Sequence, residues 1–408
     1  MSNKTIIQYP KGAMIAMAHT PNPGHVYILK SGEITIESVF RFNSKNLNRY
    51  LPGDTFGYVS AITRNHHSNT LIAATDCIVI RLSLENFFEY LKQNKSVFLK
   101  ILSYNADKLR AFIDHIDPST KETEANKDYP EKLIQNAKFY MQHDQQKLAY
   151  FSIKKYLEGN FDREKDPEKL NEAEIFLKKE NPRYVLPNYP NYSDESTFVL
   201  KKGDIIFVEN EPEDDFFYIV LQGAVKISKL VDGHEFILGI LGKGEIFGEM
   251  AILHSRARNA TAVCFEDCVI QRLTADTILE KVDEHILMKI FHVITRRLWY
   301  AFHRVYMLKV SDPNVKLYIQ LQMLIADEIA KTEPEKIKDK FIFRFSLQEL
   351  QRMVDVMDIN SERINEFLSD PNFSFSNGLV VVKDRFILDA KVDTVKKRHS
   401  RLIKEILI

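Results

Sequence analysis

Residues 11–82 and 202–273 align at a constant offset of 191 positions without a gap. Lys11-Gly12 falls on Lys202-Gly203, Pro21 on Pro212, Tyr27 on Tyr218, Gly32 on Gly223, Gly53 on Gly244, Phe56-Gly57 on Phe247-Gly248, Thr70 on Thr261 and Arg81-Leu82 on Arg272-Leu273. The chain therefore repeats one module, and each copy must close its own core. Within the second copy, short apolar runs at 205–208, 217–221, 224–227, 236–240 and 268–270 are punctuated by glycine. Short strands at such spacing predict an antiparallel sandwich or jelly roll rather than a parallel sheet. Each copy then runs into helical sequence, at 84–116 and 275–310.

Five segments follow: a jelly roll over 1–118, a helical connector and linker over 119–192, a second jelly roll over 193–285, a long helix over 286–312 and a C-terminal domain over 313–408. The connector carries Leu133, Ala137, Tyr140, Leu148, Phe151 and Tyr156, and is read as a spacer packed on one sandwich. Prolines 182, 187 and 190 make the following stretch an extended linker. From Leu287 the apolar positions Phe291, Ile294, Leu298, Ala301, Val305 and Leu308 recur in steps of four and three. That is a coiled-coil seam, and it predicts a parallel homodimer through 287–308. After Pro313 come a helix, a strand at 341–345, a helix from Leu347 capped by Ser346, a turn at 357–360, a helix at 362–368 and strands at 373–375, 379–382 and 386–388. Helix, turn, helix, then hairpin is the winged-helix order, so the whole is an α+β multidomain chain.

The 408 residues carry 56 Lys+Arg against 56 Asp+Glu, so bulk charge announces neither nucleic acid nor an anionic membrane. The start of the sequence has no signal-peptide core and no run approaches membrane-spanning length, which predicts a cytoplasmic protein without membrane contact. Cys77, Cys264 and Cys268 read as ordinary buried thiols. There is no nucleophile elbow, Walker loop or metal set, so neither an enzyme nor a bound cofactor is expected.

The two copies differ where chemistry would be. In the second, Gly244-Glu245-Ile246-Phe247-Gly248-Glu249-Met250-Ala251 is followed by Arg258-Asn259-Ala260-Thr261. Gly248 permits close backbone approach, the amides after it offer fixed donors, and Arg258 supplies a fork for phosphate oxygens. A carboxylate would repel phosphate, so Glu249 makes sense facing a neutral sugar hydroxyl. This segment resembles the phosphate-binding cassette of cyclic nucleotide-binding domains. With the long helix and winged helix, residues 198–392 resemble the cyclic AMP receptor protein and FNR regulators. That resemblance implies that Glu249 holds a ribose hydroxyl, Arg258 the cyclic phosphate, and the amides of Ala251 and Asn259 the remaining oxygens. Gly248, Met250, Ala260 and Thr261 complete the set. Cyclic AMP is the first ligand expected, with cyclic GMP and cyclic dinucleotides as alternatives. Two departures stand out: Asn259 replaces a small residue, and Trp299 and Phe302 stand near where the regulators place hydroxyls against the base. Those rings stack on a base, close the pocket, or, as the default, pack in the core or a dimer.

In the first copy Tyr58 and His67 stand where the second has Glu249 and Arg258. A neutral imidazole holds phosphate poorly, so this copy is expected not to take a cyclic mononucleotide in the usual way. The resemblance assigns Ser361, Arg363 and Asn365 to a major groove, with Lys383 and Arg385 as backbone contacts. Residues 313–408, however, hold 16 Lys+Arg against 15 Asp+Glu, a weak balance for a phosphate binder. The reading is a cyclic nucleotide-responsive transcriptional regulator. Its alternative is a sensor or scaffold that no longer touches DNA and acts through protein contacts.

Overall fold

A computed structural model describes residues 4–18, 20–38, 45–116, 129–159, 167–179, 196–212, 216–231, 233–249, 257–274, 284–307, 310–332, 334–356 and 361–398. The linker at 180–195, Met250 and Ala251, the turn at 357–360, Leu308 and the side chain of Leu287 lie outside those residues. The chain divides into two compact units, residues 1–116 with 291–408, and residues 117–290.

The first jelly roll comprises β1 (Thr5–Tyr9), β2 (Met14–Ala16), β3 (His25–Ser31), β4 (Ile34–Glu37), β5 (Arg49–Tyr50), β6 (Thr55–Phe56), α1 (Tyr58–Thr63), β7 (Thr70–Ala73) and β8 (Cys77–Ser83), followed by α2 (Leu84–Gln93) and α3 (Lys95–Ile116). Its two sheets run β1-β8-β3-β6 and β2-β7-β4-β5, all pairs antiparallel. Alternating residues of the two sheets, Leu29, Ile34, Phe56, Leu71 and Val79 among them, meet in one core.

The connector forms α4 (Tyr129–Gln142), α5 (Gln146–Glu158) and α6 (Pro167–Lys179). The second jelly roll follows as β9 (Ser196–Leu200), β10 (Ile205–Phe207), β11 (Phe216–Gln222), β12 (Val225–Val231), β13 (His234–Leu241), β14 (Ile246–Phe247), β15 (Thr261–Cys264) and β16 (Cys268–Thr274). Its sheets run β9-β16-β11-β14 and β10-β15-β12-β13, the topology of the first copy strand for strand. Even the irregularities repeat: bulges fall between Leu29 and Ser31 and between Val220 and Gln222. After each bulge a glycine has positive φ, 94° at Gly32 and 80° at Gly223. A Cβ there would stand 2.4 Å from the Asp76 carbonyl oxygen or 2.1 Å from that of Asp267, so only glycine fits. The connector packs on this second sandwich, Leu133, Tyr140 and Phe151 sharing a core with Ile205 and Val208. Polar ties fix it there: Tyr140 Oη lies 3.1 Å from Thr261 Oγ1, Asn136 Nδ2 donates to the Glu209 carbonyl, and Lys155 meets Glu211 at 2.7 Å.

The long helix α7 (Glu284–Met307) leads to α8 (Pro313–Lys331), β17 (Phe341–Phe343), α9 (Leu347–Arg352), α10 (Ser361–Leu368), β18 (Phe373–Ser376), β19 (Leu379–Val382) and α11 (Arg385–Arg398). Asp312 caps α8 ahead of Pro313, and Ser346 with Glu349 forms a capping box on α9. β17, β18 and β19 form one sheet in the order β17-β19-β18, with the two short helices α9 and α10 ahead of the β18–β19 hairpin. The strand expected at 386–388 is instead the first turn of α11, because Asp384 Oδ1 accepts from the amides of Phe386 and Ile387 and so nucleates a helix.

The seam on α7 does not wait for a second copy. Exposure along it runs from 0% at Phe291 and 1% at Ile294 to 7% at Ala301 within the single chain. Phe291 packs against Phe98 of α3 at 5.7 Å, and Phe302 against Phe112 at 5.9 Å. The contacts ascend both helices together, so α3 and α7, equivalent in the repeat, run parallel. Within the chain the apolar stripe is covered by the first repeat, with Tyr58 and Phe87 also on Phe291, so a homodimer through 287–308 stays a proposal.

Candidate functional site

The second jelly roll brings the glycine and the arginine of the cassette into contact. Gly248 follows β14 at φ 82°, and a Cβ on it would stand 2.8 Å from Arg258 Nη1 and 3.2 Å from Tyr218 Cδ2. Arg258 is buried, donating from Nη1 to the Gly248 carbonyl at 2.9 Å and from Nη2 to the Phe216 carbonyl at 2.8 Å. Its guanidinium lies 4.5 Å from the centre of the Phe207 ring, a seat that favours a cation. The backbone holds it there, since the Arg258 amide donates to Glu211 and its carbonyl accepts from Asn210. Glu249, next in sequence to Gly248, is buried as well. Asn259 and Ala260 lead from Arg258 into β15, with Ala260 in the core. Thr261 does not join this cradle: its Oγ1 accepts from the Glu209 amide at 2.9 Å and bonds Tyr140 of the connector. Alternation along β15 sends that hydroxyl to the connector side.

The first jelly roll keeps the frame and changes the chemistry. His67 donates its amide to the Thr20 carbonyl at 2.9 Å, the counterpart of Arg258 to Glu211 at the offset of 191. The carbonyls matching those of Gly248 and Phe216 belong to Gly57 and His25. Both accept from Asn22 Nδ2, at 2.9 and 3.1 Å, and Ser60 Oγ accepts from the same amide at 2.9 Å. A neutral carboxamide from another loop thus does the bracing that Arg258 does in the second copy, and the cassette's cation is gone. Tyr58 replaces the carboxylate and turns into the core, its hydroxyl donating to Asn105 Oδ1 on α3. Burial, and then the neighbouring His66, lower the His67 pKa, so its ring is neutral near pH 7. Asn22 went unnoticed in the sequence because it lies 45 residues from His67 and carries no cassette signature.

A family model of the cyclic nucleotide-binding domain matches residues 6–94 and 197–285. Each of the two jelly rolls matches that domain model. The connector and everything beyond residue 285 fall outside those matches. Over 100 residues the chain is 30% identical to a CRP-like cAMP-activated global transcriptional regulator of Mycobacterium tuberculosis, covering 24% of this chain and 44% of that protein. Over 89 residues it is 35% identical to cGMP-dependent protein kinase 2 of Mus musculus, covering 20% of this chain and 12% of the kinase. It thus spans less than half the length of these curated relatives. Among solved structures, a CRP/FNR family transcriptional regulator from Thermus thermophilus is 21% identical, with 48% of this chain and 98% of that one covered and a TM-score of 0.37. The regulatory subunit of a cAMP-independent protein kinase A from Trypanosoma brucei is 17% identical over 72% of this chain and 80% of its own, with a TM-score of 0.21.

Trp299 and Phe302 of α7 lie against the first jelly roll. They line a cavity of about 80 Å³ in the first cyclic nucleotide-binding domain, together with Tyr50, Ser60, His67 and Lys108. The reason is the packing of α7 on α3 and the first jelly roll, which directs those rings to the first cassette. The same helix holds the C-terminal domain: Arg296 Nε pairs with Asp327 at 2.9 Å, and Tyr300 Oη donates to the Met323 carbonyl at 2.7 Å, both on α8.

In the C-terminal domain, α10 exposes Glu362, Asn365 and Glu366; the side chains of Ser361 and Arg363 lie outside the described residues. Lys383 Nζ donates to the Pro371 carbonyl at 2.6 Å. Arg385 lies over the Phe386 ring at 4.2 Å, with Nε 3.5 Å from Asp339. The cations assigned to a DNA backbone are thus engaged within the domain. Cys77, Cys264 and Cys268 are buried, as expected. Among the described residues no cluster of His, Cys, Asp or Glu could hold a metal, and no helix is long and apolar enough to cross a membrane.

Proposed function

We propose that the second cyclic nucleotide-binding domain takes a cyclic nucleotide and that the chain is a transcriptional regulator responding to it. The observation that carries this reading is the cradle itself, with Arg258 held against Gly248 and Glu249 buried beside it in sequence. Arg258 would pair with the cyclic phosphate and Glu249 would accept from the ribose 2′-hydroxyl, with the amides after Gly248 completing the anion site. Cyclic AMP is the first ligand to test, then cyclic GMP and cyclic dinucleotides. A ligand changes output only through different affinity for two arrangements, and α7, tied to α8 by Arg296 and Tyr300, is the element that carries such a difference to the winged helix. Isothermal titration of the full chain with each nucleotide tests the reading, with heat expected for one of them and lost in R258E. Absence of heat with all of them removes the sensing role.

A second reading is a nucleotide-gated scaffold without DNA contact. It is favoured by the carboxylates on the exposed face of α10 and by the intradomain partners of Lys383 and Arg385. Salt-dependent mobility shifts on genomic fragments separate the two, since a DNA binder must lose affinity steeply as salt rises.

A further inference from the structure

The first cyclic nucleotide-binding domain retains a cavity where its cassette has lost both the carboxylate and the guanidinium. Lys108, on α3, lines it and is only 7% exposed. Its ammonium sits 4.7 Å from the centre of the Tyr104 ring and 5.4 Å from that of Tyr50. It forms no hydrogen bond or ion pair with any described residue, and Asp54, the nearest acid acting on it, is paired with Lys100 at 2.9 Å. Burial accordingly lowers the Lys108 pKa to about 7. A buried cation without an anion is unfavourable, and proteins retain one where something else supplies the charge. Two further buried polar atoms on the wall, Ser38 Oγ and Asn69 Oδ1, have no hydrogen-bond partner among the described residues. A site built only for packing would not leave two buried polar atoms without partners beside a buried lysine.

We propose that this cavity binds a small organic monoanion, a carboxylate on a short apolar body, with Lys108 as its counter-ion. Size and charge decide the class. One water needs ~10–15 Å³ of such space, so 80 Å³ admits about five to eight heavy atoms, well short of a nucleotide. A single cation balances one negative charge. Phe112, Trp299 and Phe302 offer apolar surface, while Ser60 and His67 offer neutral polar groups at the cassette end. The inference does not depend on nucleotide binding at Arg258, because it concerns the other domain.

The test is isothermal titration of the full chain with butyrate and, as its neutral counterpart, butyramide. Butyrate is expected to bind, butyramide to bind at least tenfold more weakly, and K108M to lose butyrate affinity at least tenfold. K108Q serves the same purpose should K108M fail to fold. Equal binding of acid and amide, equal binding by the folded Lys108 variants, or no binding of butyrate would each overturn the proposal. Nucleotide failure with butyrate success would sink only the earlier reading.

Discussion

Arg258 Nη1 donates to the carbonyl of Gly248 across 2.9 Å, and in the first repeat Asn22 Nδ2 donates to the equivalent carbonyl of Gly57 across the same distance. Two unrelated side chains, reached from different parts of the chain, brace one turn. In the second repeat the brace is also the cation, so frame and chemistry are coupled there.

That coupling makes G248A costly in two ways. The new methyl would stand 2.8 Å from Arg258 Nη1, at a φ of 82° that costs an L-residue about 1–2 kcal/mol. Gly203 has nearly the same φ, 84°, with nothing within 4 Å, so G203A should show the backbone cost alone. Thermal denaturation should rank G248A below G203A, and titration should show nucleotide affinity down at least tenfold only in G248A.

N22A removes the donor to three acceptors in the first domain. A hydrogen bond contributes about 0.5–1.5 kcal/mol net, and the Gly57 carbonyl keeps Ala61 N and Ser60 Oγ as donors, so urea denaturation should show a loss of about 1 kcal/mol. Nucleotide binding at Arg258 should not move. A loss below about 0.5 kcal/mol would mean that Asn22 does not brace the turn.

The ion pair of Lys229 and Glu209, 2.5 Å apart with both side chains buried, anchors the surface on which the connector rests. Glu209 also accepts from the Leu230 amide at 3.0 Å. Breaking such a pair from one side costs about 3–5 kcal/mol, so E209A should be far less stable than the double variant E209L/K229M. Equal melting of the single and double variants would refute the account.

Lys108 gives stability a pH dependence of definite sign. Burial, opposed by Asp54, lowers its folded pKa from 10.5 to about 7. Below pH 7 both states carry the proton and the burial penalty is fully present. Between pH 7 and 10.5 only the unfolded state keeps it, so wild-type stability gains roughly 1.4 kcal/mol per pH unit from this group. K108M should therefore exceed wild type in stability at pH 6, with an advantage that shrinks as pH rises above 7. A constant difference would show that Lys108 is not buried as a cation.

F291A should lower stability by about 3–5 kcal/mol, since Phe291 is fully buried against Tyr58, Phe87 and Phe98. Analytical ultracentrifugation should find its sedimentation unchanged below the melting transition. Dissociation of a dimer at wild-type stability would restore the seam to a second copy.

Much of the fold was legible because repeats and periodicity are local. The offset of 191 carried the topology of both jelly rolls, down to the bulges before Gly32 and Gly223. The cassette was legible because Gly248, Glu249 and Arg258 sit within eleven residues and need only one loop to meet. What covers a helix face was not legible, for a reason of range. A heptad stripe says that a helix face is buried and is silent on what buries it, so the stripe on α7 read the same whether α3 or a second copy covered it. The surroundings of Trp299 and Phe302 on the same helix were illegible for the same reason.

Sequence by itself determined that two glycine-punctuated sandwiches form, and that one retains a carboxylate and guanidinium while the other does not, because these follow from residue identity at short spacing. Tertiary structure alone decided that α3 partners α7, that Asn22 braces the first turn, and that Lys108 faces a cavity. Each of these joins residues far apart in the chain, and burial and hydrogen bonding act through space, where side-chain type constrains energy but not which neighbour supplies it.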